Sequence, residues 1–599
     1  MNINSQVEKE FTLPKTQKLR HLVANFTATE WVIFLGLSIV ATVSALILAY
    51  HTSRMFMVSI PAHGGTLTEG VTGIPRFINP VLATSDVDRD MTALIYSGLM
   101  RNENGTLVTD LAKTYSISQD NLKYTFVLKD TAVFHDGTPV TADDVIFTIS
   151  KAQDVNLKSS KRADWADVEV RKADDKTVEF TLKRPYAPFL QNTTIGILPS
   201  HIWSNNITAE QFTFSQFNTE PVGTGPFKLQ TVVKDNGGIP TKYLLESFNR
   251  YTSGKPYLDN IEINLYANRD SLLSAFANGS IQSMYGASPA IVEQVKKGET
   301  GISGSKIYET PLPFVMAVFF NQNQAPVLAY KEVRQALDLA VPRDLIVKDV
   351  LLNGAQPLYG PLPLTYFKNS KTNSAQNTIS QATQVGTSTT TSASQAILEK
   401  AGWTMGADGV YTKTVKGVKD PIRLEFSLTT SVTNPEFKKV AEAIINSWNK
   451  IGAHVTLKVF DGDISQNIIR PRKFDSLLFG EVIGPDLDFY GFWHSSQRLA
   501  PGLNIAQYTN AKADKILEDA RTEQDYAKRM KSYEDFAKIL KEDLPAVFVY
   551  SPNFTYIVSP EIRGIKINTI TLPADRWDGV FNWYATTESV WKIFAKTRQ

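Results

Sequence analysis

The sequence predicts an α/β body of two or more domains, built on a mixed sheet and carried behind an apolar N-terminal span. Three observations lead there. Residues 424–428 read as a strand, residues 436–448 place Val440, Ile444 and Trp448 on one helical face, and residues 451–457 return to a strand. Strand–helix–strand units of this kind build parallel or mixed sheets. Residues 124–149 read as strand, turn and helix. Residues 31–50 carry no charge, and twenty helical residues rise about 30 Å, the thickness of a bilayer core. At 599 residues the chain exceeds what one core organises.

Composition narrows the function classes. Hydrophobic residues make up 43 % and charged residues 20 %, as in ordinary globular proteins. A net charge of +2 lacks the dense basic face that phosphate binding needs, so no nucleic-acid partner is expected. There is no cysteine. That removes disulfides, thiolate zinc sites, cysteine nucleophiles and iron–sulfur clusters. It also removes a lipid-modified cysteine as a membrane tether. The seven histidines are scattered with no i,i+4 pair, and neither a His-Glu-x-x-His nor a Gly-x-Ser-x-Gly motif occurs. No metal, cofactor or enzymatic activity is expected.

In chain order, residues 1–29 form a polar tail with Lys9, Lys15, Lys18 and Arg20. Residues 30–53 are the expected transmembrane anchor, with Trp31 and Tyr50 at interfacial positions. The basic flank precedes the span and only Arg54 closely follows it, which predicts a cytoplasmic N-terminus and an extracytoplasmic body. A cleaved signal peptide would carry a shorter apolar core and a small-x-small cleavage site. The expectation is therefore an uncleaved, single-pass anchor in the cell membrane.

The body opens at Gly64-Gly-Thr-Leu67, followed by an Asn79-Pro80 turn and a helix leading to Tyr96-Ser-Gly-Leu99. Tyr124, Phe126 and Leu128 alternate as a strand. Asp136-Gly137 makes a turn, Thr141 caps a helix, and Asp144 reaches back to the cap amide. Val168 to Leu182 form two strands about an Asp174-Asp175 turn. Pro221-Val-Gly-Thr-Gly-Pro-Phe-Lys-Leu229 bends tightly and enters a strand; it lacks the Gly-Lys-Ser/Thr ending of a phosphate loop. Further strands are expected at 261–265, 315–321, 545–550 and 565–567. Helices are expected at 271–278, 333–341, 396–403 and, at the terminus, 589–599. Arg334 is expected to cap or to form an ion pair. Residues 370–393 are Ser, Thr, Gln, Asn and Gly with too few apolar groups to offset ordering. They read as a surface insertion without secondary structure.

Several of these stretches resemble one family, in that family's order. Lys129-Asp-Thr-Ala-Val-Phe-His-Asp-Gly-Thr-Pro-Val-Thr-Ala-Asp-Asp-Val145 looks like the signature of the family 5 extracellular solute-binding proteins. Pro221–Leu229, Phe248-Asn-Arg-Tyr-Thr-Ser-Gly-Lys-Pro-Tyr-Leu-Asp259, Val333-Arg-Gln-Ala-Leu337 and Ala401-Gly-Trp403 are similar to further family segments. Thr252 stands where members usually carry Trp. The resemblance spans roughly 64–585. It implies a two-lobed, periplasmic-binding-protein-like clamp of the large form: lobe I at 60–315 with a subdomain inserted at about 96–190, lobe II at 316–545 with a polar insertion at 370–395, and a return to lobe I at 546–599. It also implies a receptor for di- to oligopeptides that hands its ligand to ABC transporter permease and ATPase subunits. Metal chelates and oligosaccharides are ligands carried on the same scaffold.

Residues 474–496 are the expected ligand segment. In peptide-binding relatives an aspartate here grips the ligand's α-ammonium. Asp486 is the first candidate and Asp488 the second, with Gly480 and Glu481 as further ligand-site candidates, although Gly480 is followed by Glu481 rather than by the family's Trp. Asp486 reads equally as the cap of a following helix. Tyr490 and Trp493 are candidates for pocket walls or for packing. Ser85 and Asp86 match the first-lobe position that offers backbone to ligand.

Overall fold

The computed structural model describes residues 26–103, 105–203, 207–363, 387–417, 419–432, 435–484, 487–568 and 570–595. The chain divides into two compact units, Met1–Ala62 with Thr586–Gln599, and His63–Ala585.

In the first unit the helix Ala28–Met55 starts at Thr27, whose amide donates to Glu30 Oε2 at 2.8 Å while its hydroxyl oxygen accepts from the Glu30 amide. Its 28 residues are long and apolar enough to cross a membrane, with none buried. Strand Met57–Ala62 follows and pairs antiparallel with Thr586–Trp591, Met57 opposite Trp591 and Ala62 opposite Thr586. The terminal helix expected over 589–599 is corrected here: residues 589–591 are strand, and only Lys592–Ala595 is helical among the described residues. Thr586, Thr587, Val590 and Trp591 are β-formers, and the exposed edge of Met57–Ala62 gives them a ladder. Residues 1–25 and 596–599 lie outside the described residues.

The second unit is organised by one twelve-stranded sheet. Its strands, numbered in chain order, are β1 Thr66–Thr72, β2 Phe227–Lys234, β3 Pro240–Ser247, β4 Asn260–Tyr266, β5 Ser283–Tyr285, β6 Lys306–Pro311, β7 Phe314–Phe320, β8 Ala355–Pro357, β9 Glu425–Ser431, β10 His454–Phe460, β11 Ser476–Val482 and β12 Ala546–Val558. The order is β10-β9-β11-β7-β12-β5-β1-β4-β3-β2, with β6 and β8 also on β12. β9 and β10 are parallel around the helix Pro435–Lys450, as their strand–helix–strand pattern predicts.

β12 is shared by both lobes. Its first half pairs with β7 and β8, and its second half with β5 and β6. The change of partner falls between Pro552, opposite Ala355, and Asn553, opposite Pro311. Beside it the chain crosses at Leu312-Pro313, held by Leu312 N–H on Pro552 O (2.9 Å) and Ser551 Oγ–H on Leu312 O (2.6 Å). In lobe II, β7 turns Met316, Val318 and Phe320 to a core with Leu337 and Trp448. Its alternate residues Val315, Ala317 and Phe319 face a second core with Leu477, Trp493 and Phe536. Cover on both faces is why β7 is an unbroken apolar run.

In lobe I the strand Lys123–Leu128 sits in a separate four-stranded sheet, and the helix Ala142–Gln153 follows. Thr141 donates its amide and hydroxyl to Asp144 Oδ2 at 2.8 and 2.9 Å. Asp144 Oδ1 also accepts from the Ser200 amide and hydroxyl, so the capping acid is a buried tie as well. In the Pro221–Leu229 stretch, a Cβ on Gly223 would lie 2.0 Å from Ile95 O, and one on Gly225 2.6 Å from Ile95 C. Those glycines let backbone pack on the end of helix Asp86–Ile95.

Arg334 donates to the carbonyls of Leu328, Ala329 and Asp543, closing chain ends as a cap. Two expectations change. Residues 565–567 form no strand; the nearby ladder is a single Arg563–Tyr584 bridge. Residues 387–393, read as unstructured, open the helix Thr387–Lys400, where Ser394 and Leu398 are buried and the helix packs on Lys331–Ala340. Polar composition hid that face because Ser394 is small enough to be covered without an apolar side chain. The remainder of the insertion, 364–386, lies outside the described residues.

Candidate functional site

The carboxyl end of β11 reaches the interlobe crossing. Glu481 pairs with Val315 and Val482 with Phe314, and Ile483 N–H donates to Pro313 O at 2.8 Å. A Cβ on Gly480 would lie 2.2 Å from the Phe314 ring, so a larger residue there must displace that ring. The chain then runs through Gly484 to Leu487, a buried residue at φ +56°, and into the short helix Tyr490–Trp493. Asp486 lies outside the described residues.

Glu481 is 2 % exposed, and among the described residues neither carboxylate oxygen makes a hydrogen bond. Burial raises its pKa well above the ordinary carboxylate value; the Trp493 indole N–H pulls the other way but falls short of hydrogen-bond geometry. Burial there favours the neutral carboxyl, and a cation or donor reaching it would favour the ionised form.

Asp488 joins the lobes. Its Oδ2 lies 2.8 Å from Arg521 Nη2 and 2.9 Å from Arg521 Nε, and it accepts from Tyr186 Oη–H at 3.3 Å. Tyr186 packs on the lobe I core, whereas Arg521 ends the helix Ala511–Thr522 on the lobe II core. Ala187 N–H donates to Arg521 O at 2.9 Å, a second interlobe tie. The guanidinium lies 4.2 Å from the Tyr490 ring centroid and 5.4 Å from that of Tyr186, so it is held between two aromatic faces.

The other candidates find nearer partners. Tyr490 stacks on His494, with centroids 4.1 Å apart. Trp493 is buried among Phe319, Tyr508, Phe536 and Phe548. Ser85 Oγ caps helix Asp86–Ile95 by accepting from the Asp88 amide at 3.1 Å. Asp86 pairs with Arg89 one turn on. Among the described residues no group of three His, Cys, Asp or Glu is placed to hold a metal. Sequence reading missed Tyr186 and Arg521, because their meeting with Asp488 spans 302 and 33 positions and no local pattern signals it.

Breaking this bridge should loosen closure. Asp488→Ala removes a charge-assisted pair on partly exposed groups, about 1 kcal/mol, or roughly a fivefold shift in the open-to-shut ratio. X-ray scattering of the ligand-free protein should read a larger radius of gyration. An unchanged profile means the bridge does not hold the lobes.

Comparison with known proteins agrees with this architecture. The family model described as bacterial extracellular solute-binding proteins, family 5 Middle, matches residues 106–499. The oligopeptide-binding protein AppA of Bacillus subtilis (strain 168) is 28 % identical over 518 residues, covering 84 % of this chain and 90 % of the relative. The structure of B. subtilis AppA in complex with a nonapeptide superposes with a TM-score of 0.68 at 26 % identity, over 88 % of this chain and 100 % of that one. NikZ from Campylobacter jejuni in complex with Ni(L-His) gives 0.69 at 26 %, over 87 % and 99 %. The mixed α/β sheet, the two lobes sharing β12 and the family match lead to one conclusion: this chain belongs to the family 5 bacterial extracellular solute-binding proteins.

Proposed function

We propose that this protein is a membrane-anchored, extracytoplasmic receptor that captures di- to oligopeptides and delivers them unchanged to an ABC importer. The carrying observation is the pair of acids at and just after the end of β11, beside the interlobe crossing: Glu481, with no hydrogen-bond partner among the described residues, and Asp488, facing Tyr186 of the other lobe; Asp486 lies between them in sequence. A peptide presents one fixed cation and a repeating amide ladder. A carboxylate answers the cation, worth about 1.5–3 kcal/mol as a charge-assisted hydrogen bond. Strand backbone answers the ladder without regard to side chains. The nonapeptide complex of B. subtilis AppA supports this reading. The Ni(L-His) complex of NikZ supports a second one, an amino-acid metal chelate. Closure would be a population shift, since only the shut form lets one ligand touch both lobes. The helix Ala28–Met55 would hold the receptor at the membrane.

Calorimetry on the detergent-solubilised full chain separates these readings. Peptides with a free N-terminus should bind at least tenfold tighter than their acetylated forms, a difference of about 1.4 kcal/mol. Asp486→Asn should erase that difference. Equal binding of acetylated peptides removes the ammonium-binding role, and binding of Ni(L-His) alone favours the chelate. Peptides recovered shortened by mass spectrometry would overturn the receptor reading itself.

A further inference from the structure

The first unit carries an apolar cluster where the long helix ends. Phe56 follows that helix and is 55 % exposed; Trp591, opposite Met57 in the antiparallel strand pair, is 44 % exposed; Ile593 is 74 % exposed. The two chain ends are fixed together there, because Lys592 N–H donates to Phe56 O at 2.8 Å. Arg54 and Lys592 flank the cluster, and the Arg54 guanidinium lies 5.3 Å from the Tyr50 ring centroid. Large apolar side chains left in water at one spot mark an interaction surface. Aromatic rings interleaved with basic side chains, directly continuing an apolar helix, match the headgroup layer of a bilayer, where one side of a ring is wet and the other dry.

We infer that the C-terminal turn Trp591–Phe594 is a second membrane contact, lying in the lipid headgroup layer beside the exit of helix Ala28–Met55. The occupant is the bilayer interface. The inference rests on the reading of that helix as a membrane span. Residues 56–57 and 591–594 would thus meet the same lipid surface. The two-stranded ladder would then lead away from the membrane: at about 3.3 Å per residue, Thr586 lies about 17 Å from Trp591 along the strand. This contact would resist rotation of the strand pair about the single helix, which one span alone cannot do.

The absence of cysteine makes the test direct. Single-cysteine variants Leu46→Cys, Ile593→Cys and Thr586→Cys of the full chain are labelled with a polarity-sensitive fluorophore and placed in phosphatidylcholine–phosphatidylglycerol nanodiscs. Spin-labelled lipids with shallow or deep nitroxides supply the depth scale. The expected result is blue-shifted emission at 593 with stronger quenching by shallow than by deep labels, deep quenching at 46, and water-like emission at 586. Water-like emission at 593 with 46 in the lipid core overturns the second contact and leaves the anchor standing. Water-like emission at 46 removes the anchor itself. Equal deep quenching at 46 and 593 also overturns the inference, because the turn would then be inserted rather than interfacial.

Discussion

Arg576→Met is expected to destabilise lobe I by about 3–5 kcal/mol, as loss of the cation from a buried ion cluster does. The Arg576 guanidinium forks onto Asp90, with Nη1–Oδ1 at 2.5 Å and Nη2–Oδ2 at 2.8 Å, and its Nη2 and Nε reach Glu69 Oε1 at 3.0 and 3.2 Å. All three side chains are wholly buried. Tyr556 Oη–H donates to Glu69 at 2.9 Å and Ser283 does so as well. The ring centroids of Tyr285 and Trp577 lie 4.3 and 4.6 Å from the cation. One cation therefore serves two carboxylates. Burial pushes both acids up in pKa, and Arg576 pulls each back. Without it, two acids face an apolar core with no counter-charge. Urea unfolding, followed in the lobe I transition, should show the loss. Arg576→Lys should recover only part, since an ammonium cannot fork. The triple change Glu69→Met, Asp90→Leu, Arg576→Met should recover most of it, because no charge remains to desolvate. A single-variant loss under about 1 kcal/mol would sink this account of the cluster.

Glu481→Met is expected to stabilise the ligand-free protein while weakening capture. The wild-type carboxyl has a folded pKa above its ordinary value of 4.5, caused by burial. At a pH below 4.5 both folded and unfolded chains hold the proton, and the site adds no pH dependence. As pH rises through the folded pKa, ionising the buried group costs free energy that the unfolded chain does not incur, so wild-type stability falls. The variant removes that loss. The gain should be about 1–3 kcal/mol at pH 8, the scale for relieving an unsatisfied buried group, and should shrink toward pH 4. Glu481→Gln should flatten the pH slope yet keep an unsatisfied amide. A cationic ligand should bind the wild type more tightly as pH rises, and Glu481→Met should lose this trend. If the variant gains stability and keeps full affinity, Glu481 is a core defect and not a ligand group.

Much of the fold was legible because its signals are local. The cap at Thr141–Asp144 and the β9–helix–β10 unit each sit within about one element of sequence, and the turn expected at Asp174-Asp175 falls one residue on, at Asp175-Lys176. The glycines at 223 and 225 marked a bend, although the Ile95 backbone that demands them lies far off in sequence. Misreadings came where a partner decides the outcome. Residues 589–591 became strand because Met57–Ala62 offers an edge, and residues 565–567 stayed irregular although they alternate. At the site, the sequence located the acids of residues 474–496 but not their fates. Asp488 meets Arg521 and Tyr186 only through tertiary folding, and the burial of Glu481, a candidate from the sequence, emerges only in the structure.

The strand Ala546–Val558 has a mechanical consequence. Each end is gripped by its own set of neighbours, and the handover occupies one residue step, Pro552 to Asn553. Any swing of one half against the other must be taken up as torsion there and at Leu312-Pro313 alongside. Proline fixes φ near −65° at both places, so few torsions remain to share the movement. The molecule is thus a door on two short pins rather than two beads on a string. If the halves swing as the proposed receptor requires, its gape would reduce largely to a single angle, and the largest guest admitted would be set by how far that angle turns.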